Sequence, residues 1–547
     1  MRNTLLAAIT AGSMLPLAAA AAPVPKFTAD AFRAHVEFLA DDLLEGRETG
    51  TRGNEIAARY VAAQFEQYGL KPAGEKGSWY QRIIFQQTER GADRGTITIS
   101  GPGGEKKFVH KKDVTVGISS REPKVDISAP LVFVGYGIVD SRFGIDDYAG
   151  LDVKGKIIVT LRGFPKGLPS EEGAHMSAIK YQVAEKHGAI GGVSIATLQS
   201  EKAQPWARAL EYADNPAFNW VDVDGLPHVD APGIRVGGSL HGPAAEAVFA
   251  GSGHKLADLL READQDKGEP KGFVLKTRIR IQSTSKSHRV DSPNVIGILP
   301  GSDRKLAAQF VVLSAHLDHL GIKDAVSTDK AGTDRIYNGA LDNGAGIATL
   351  LEVARAAAAA PGKPRRSIIF LASTAEEKGL LGADYFSRHP PVPIDQIVGN
   401  VDLDMPLLLY PFTDVVAFGA NHSSLGRFVA KAVEPMKIKL SPDPMPEQGI
   451  FTRSDHYMLV RQGVPAVFLA TGFANGGEKK WGEFLGGNYH SVKDDMNQQI
   501  DWNSGARFAE ANYRITRAMA DADTPPLWIE GDYFGDTFAP KAARAKK

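Results

Sequence analysis

Beyond residue 292 the chain repeats one pattern, a short run of consecutive apolar residues followed by a stretch with helical spacing. The runs are NVIGILPG (294–301), QFVVLSAHLD (309–318), SIIFLAST (367–374), IVGNVDLDM (397–405), DVVAFGA (414–420) and PAVFLATG (465–472). Helical stretches lie at 347–360, 425–435 and 503–522. A strand with one wet face alternates apolar and polar residues. These runs do not alternate, so both faces must be covered. The pattern predicts an α/β fold, a mostly parallel central sheet with helices on both faces. Ligands of such sheets collect beyond the carboxyl ends of the strands. His316, Glu376 and Asp404 fall at those ends.

Those residues belong to a scattered set with metal-ligand chemistry. The strings are SAHLDHLG (314–321), NGALDNGAG (338–346), STAEEKGLLGA (373–383), NVDLDM (400–405) and NYHSVKDD (488–495). They offer His316, Asp342, Glu376, Glu377, Asp404 and His490. Imidazole nitrogen and carboxylate oxygen are the usual ligands of a catalytic zinc that keeps a position open for water. Two ions ~3.5–4 Å apart need a ligand that spans them, and only a carboxylate has two oxygens to do so. Two histidines, two terminal carboxylates and one bridging carboxylate complete a dinuclear site. One further carboxylate must stay unligated to take a proton. The set points to a two-metal hydrolase.

In this order the strings resemble the M28 family of co-catalytic zinc aminopeptidases. The resemblance implies a zinc-exopeptidase-like fold and two Zn²⁺ per chain. It implies His316 and Asp404 as ligands of one ion, Glu377 and His490 as ligands of the other, and Asp342 as the bridge. Glu376 becomes the general base, Asp318 the partner that orients His316, and Tyr489 the donor to the oxyanion. It also implies a cis peptide bond between Asp342 and Asn343. Asp402, two residues before Asp404 on the same strand face, competes with it as a ligand. The chain has 14 histidines, and most have no catalytic task. His319, in HLDH, and His456, in RSDHYMLV (453–460), lie near the strings and are weighed, but the family pattern does not use His319. A dipeptidase or carboxypeptidase would share the same ligands. A glutaminyl-cyclase-like transferase would use one zinc, and a receptor-like relative would lose the metals.

At 547 residues the chain exceeds one ordinary core. Residues 27–70 read as two helices, with Thr28 as an N-cap and an end at Gly69. Residues 78–125 turn β-like, as in GTITIS (95–100). Composition changes near 128, where APLVFVGYGI (129–138) and KGKIIVTLRG (154–163) bracket a loop rich in Asp and Gly. This part resembles the protease-associated domain often inserted in M28 enzymes. The expected division is a signal at 1–22, a first catalytic part at 23–127, an inserted β-rich domain at 128–290, and the main catalytic part at 291–547.

A net charge of −1 offers no field for nucleic acid or an anionic membrane. The expected partners are peptides, with oligomeric state open. The absence of cysteine excludes disulfides, thiolate nucleophiles and Cys-bound zinc. The start, MRNT before the apolar LLAAITAGSMLPLAAAAA (5–22), reads as a secretory signal cleaved near Ala20–Ala22. With no disulfides, that predicts a bacterial periplasmic or secreted protein, free of the membrane after cleavage.

Overall fold

The computed structural model of the protein describes residues 24–323, 330 and 332–546. The signal expected at 1–22 lies outside them.

Two mixed sheets share one strand. Phe273–Leu299 runs for 27 residues. Its first part pairs with Thr96–Gly101 and Lys124–Phe133, and its second with Tyr80–Arg90 and Ser367–Ser373. The change of partners is written in its side chains. Burial alternates through residues 274–285, then becomes continuous over 293–297, as a strand covered on both faces requires.

In the catalytic sheet, Ser367–Ser373 pairs parallel with Phe310–His316, which pairs parallel with Ile397–Asp402. Ile397–Asp402 continues parallel to Ala466–Thr471. Asp414–Phe418 then closes the edge antiparallel, with Lys439–Ser441 beside it. One face carries helices Ala29–Leu39, Arg52–Gln67, Ala345–Ala359 and Trp502–Asp521 over a core that includes Val311, Leu313, Phe370 and Val401. The other face packs Ile296, Val312, Ile369 and Leu371 against Phe386 and Leu459. This is the α/β sandwich expected from the non-alternating runs. The N-terminal helices also form as read: Thr28 caps the first through its side chain, 3.2 Å from the Ala31 amide, and Gly69 takes a positive φ of 78° after the second. No described helix is long and apolar enough to cross a membrane.

The second sheet builds a lobe with its own core around Ile99, Leu131, Val159 and Ile279. Its strands include Thr96–Gly101, Gly104–Val109 and Val114–Val116, upstream of the boundary expected at 128. Conversely, Ala217–Trp220 pairs with Tyr80–Arg90 in the catalytic sheet. Hydropathy records that a strand has a buried face, not which sheet buries it, so composition alone misplaces such a boundary. The lobe is fastened to the catalytic half by polar contacts. His422 stands 2.7 Å from Glu171 of the lobe and 2.6 Å from Asp532. His175 of the lobe bonds the Tyr457 hydroxyl at 2.5 Å.

Candidate active site

The expected residues converge at the carboxyl edge of the parallel strands. His316 ends its strand, Glu376 and Glu377 follow Ser367–Ser373 by three and four residues, and Asp404 follows Ile397–Asp402 by two. Asp342 lies on the turn into helix Ala345–Ala359, and His490 on the loop after helix Gly477–Gly487, at a positive φ of 53°. The Asp342–Asn343 peptide bond is cis.

Asp342 stands between the two histidines. Its Oδ1 is 3.3 Å from His316 Nε2 and its Oδ2 is 3.3 Å from His490 Nε2. His316 Nε2 is also 3.1 Å from Asp404 Oδ1, and His490 Nε2 is 3.2 Å from Glu377 Oε2. In a tetrahedral site with bonds of about 2.0 Å, neighbouring donor atoms stand about 3.3 Å apart. The donors therefore fit metal ions by both spacing and type. The buried excess of carboxylates over imidazoles also calls for added positive charge.

Asp402 is not part of this group. Its two oxygens accept from Ser314 and Ser454, each at 2.6 Å, and burial together with the charge of Asp404 raises it to about 6. His456 is fully buried, its Nδ1 3.9 Å from Asp402 Oδ2, and burial lowers it to about 3. Asp318 acts differently from the expectation. Its main-chain oxygen accepts from His316 Nδ1 at 3.1 Å, while its carboxylate stays 3.9 Å from that nitrogen. The carboxylate accepts instead from the Glu376 amide at 3.1 Å and the Thr49 hydroxyl at 3.0 Å. Asp318 thus sets the His316 ring through its backbone and the Glu376 turn through its side chain.

The two adjacent glutamates are electrostatically unlike. Burial, with the charges of Asp404, Glu377 and Asp455, lifts Glu376 well above its ordinary value against the pull of His316. Burial also works on Glu377, but attraction to His490 and hydrogen bonds from His319 and His490 hold it at about 2. Burial opposes the charge on His490 too, yet Glu377 and Asp342 raise it to about 10. Tyr489 stacks on the His490 ring with centroids 3.9 Å apart. Burial and the charges of Asp342 and Glu377 push its phenol well above the usual value, so it stays protonated. Glu376, Asp342, Asp404, Tyr489 and His490 all line a cavity of about 80 Å³, closed by Phe468 and Trp481. Gln448 and Arg453 connect it to a cleft of about 630 Å³ that the lobe also walls.

Several residues that hold this geometry were not singled out from the sequence. Asp494 accepts from the Leu341 and Asp342 amides at 3.0 and 2.9 Å. Asn343 donates to the Leu403 carbonyl at 2.8 Å and accepts from the Met405 amide at 3.1 Å, which joins the Asp342 and Asp404 loops. Arg47 is buried and donates to the carbonyls of Leu317, Asn338 and Gly339 at 2.6–3.0 Å. The only trace of these in the sequence is the first Asp of NYHSVKDD and the Asn beside Asp342. Arg47 carries no such signal, because three of its partners are carbonyls about 270–290 residues away.

The sequence pattern of Peptidase family M28 matches residues 294–516. Among solved structures, an aminopeptidase from Aneurinibacillus sp. strain AM-1 superposes with a TM-score of 0.51 at 19% identity, covering 91% of this chain and 95% of that one. That likeness is one of fold. Two curated relatives, each named vacuolar membrane protease, are from Yarrowia lipolytica and Lachancea thermotolerans. The first is 40% identical over 89 residues, 16% of this chain and 7% of its own length. The second is 30% identical over 157 residues, 27% of this chain and 14% of its own length. The chain thus spans a small part of the relatives it matches. Their names point to a eukaryotic vacuole and overturn the bacterial periplasmic or secreted location expected from the N-terminus. An apolar leader pattern records hydropathy, whereas the compartment is decided by the machinery that reads it. Residues 294–516, which contain every clustered donor described above, thus match Peptidase family M28.

Proposed function

We propose that the chain is a dinuclear zinc aminopeptidase, which removes the N-terminal residue of short peptides. One observation carries the reading: Asp342 turns one oxygen toward each of two imidazoles, and each imidazole has its own second carboxylate. His316 and Asp404 would hold one ion, Glu377 and His490 the other, with Asp342 shared. When bound, zinc polarises the scissile carbonyl and makes water acidic enough to be deprotonated at neutral pH. Glu376 accepts no hydrogen bond from a described side chain and faces the cavity. It takes the proton of the attacking water and returns it to the leaving amine. Tyr489, protonated and on the same wall, donates to the oxyanion. The small cavity beyond Glu376 receives one side chain, and the adjoining cleft takes the rest of the peptide. The lobe, read as protease-associated-like, narrows that approach and favours short substrates over folded ones.

The test joins metal counting to a substrate panel. Two zinc ions per active chain are expected, with cleavage of peptides bearing a free N-terminus and none of their N-acetylated forms. A single ion at saturating zinc, or cleavage from the carboxyl end, would reject the reading.

A further inference from the structure

His319 is fully buried beside the proposed second ion and is absent from the donor set above. Its Nδ1 lies 2.7 Å from Glu377 Oε1, while the other oxygen of Glu377 faces His490 at 3.2 Å. The two distances differ in kind. About 2.7–2.9 Å is the length of a hydrogen bond to a charged carboxylate, whereas donors sharing a tetrahedral zinc stand about 3.3 Å apart. His319, Asp342 and Glu377 are close enough together for one cation to reach all three, but the shorter contact is that of an N–H donor. The ring is also held where it is. Its amide donates to the Arg47 carbonyl at 3.2 Å. A Cβ at Gly339 would come within 2.6 Å of its Cδ2. Tyr337 and His490 meet it edge-on at 6.4 and 5.9 Å between centroids. Nε2 is buried with no partner among the described residues. An unpaired lone pair there costs less than an unpaired N–H, which places the proton on Nδ1.

We infer that His319 is a positioning residue of the second metal centre: it donates its Nδ1–H to Glu377 Oε1 and leaves only Oε2 to face the ion. The inference rests on the two-ion reading above. An unrestrained Glu377 could rotate both oxygens toward one ion or turn away from it. A second partner on a ligating carboxylate removes that freedom and commonly changes metal affinity by roughly 10–100-fold.

Three variants test this by competition of both ions against a chromogenic chelator, with the visible spectrum of the cobalt-loaded protein as a second readout. His319→Phe keeps the ring and removes the donor, and His319→Gln carries its amide too far out to replace Nδ1. Both are expected to weaken one ion roughly 10–100-fold and leave the other unchanged. His319→Asn places an amide N–H near the Nδ1 position and should recover most of the affinity and the cobalt spectrum. If the Phe variant fails to fold, the Gln and Asn pair decides. Wild-type affinity in the Gln variant overturns the inference. So does a loss in the Asn variant as large as that of His490→Ala, which would make His319 a ligand. A wild-type protein that takes up two ions while these results fail rejects His319 alone. One ion in the wild type rejects the dinuclear reading and this inference with it.

Discussion

Glu376 and Glu377 are neighbours in the chain, yet the fold gives them opposite environments. Glu377 has His490 on one oxygen and His319 on the other, whereas Glu376 is pushed up by burial and by surrounding carboxylates. Glu376→Gln should therefore keep the metal content of the protein and lower kcat by roughly 10²–10⁴-fold. Glu377→Gln should lower metal content first, with activity following as zinc is withdrawn. Metal analysis beside steady-state kinetics checks both, and exchanged phenotypes would reverse the assignment. These roles were legible in the sequence only as a pair of acids after an apolar run. The family resemblance divides the labour between them, and the structure adds that two imidazoles face Glu377. His319 and Asp494 were present in the quoted strings, but nothing in their spacing told which atoms they would face.

The helix Ala345–Ala359 begins directly behind Asp342, and its first turn admits no side chain at Gly346. A Cβ there would stand 1.9 Å from Asn343 Oδ1 and 2.5 Å from the Leu403 carbonyl. Gly346→Ala should therefore move the Asn343 bridge between the Asp342 and Asp404 loops. The overpacking should cost about 1–3 kcal/mol of stability, read by urea denaturation, and lower metal affinity as well. A second element-level device is the junction of helix Ser170–Ala178 with the catalytic half. Burial opposes the charge on His422, but Glu171 and Asp532 together raise it to about 10. A folded value above the unfolded one, about 6.5, means stabilisation that is complete below pH 6.5 or so and lost as pH rises through 10 or so. The midpoint of denaturation should fall between pH 6.5 and 9.5, and His422→Gln should flatten that slope. An unchanged slope in the variant would remove His422 as its source. Glu172, Phe451 and Phe534 also approach this ring and would have to be ruled in next.

For the whole molecule, the site is where distant parts of the chain meet. Residues 316, 342, 377, 404 and 490 come from a strand end and four separate connecting segments, and Arg47 ties the N-terminal segment to the chain beside two of them. Metal bound only to the folded state should stabilise all of it. Free zinc at 100-fold above its dissociation constant adds about 2.7 kcal/mol per ion. Chelation should lower the melting temperature and zinc should restore it; equal melting with and without chelator would mean that the ions do not join these segments. The lobe is tied in equally firmly, because Phe273–Leu299 is continuous through both sheets. Lobe and catalytic half should therefore melt in one transition by calorimetry, and two separated transitions would show the shared strand to be a weak coupling.

From sequence alone, the layered α/β architecture, the strand ends where the site gathers and most of the clustered donor groups could be read, because each depends on local periodicity or on short strings. What only the tertiary structure decided are the relations across the chain. Asp404 faces His316 while Asp402 is taken by Ser314 and Ser454. Asp318 orients His316 through its carbonyl. Thr96–Gly101 belongs to the lobe and Ala217–Trp220 to the catalytic sheet. In each case the choice lies between chemically equivalent groups, and it is made by distances between residues far apart in sequence, which no local pattern encodes.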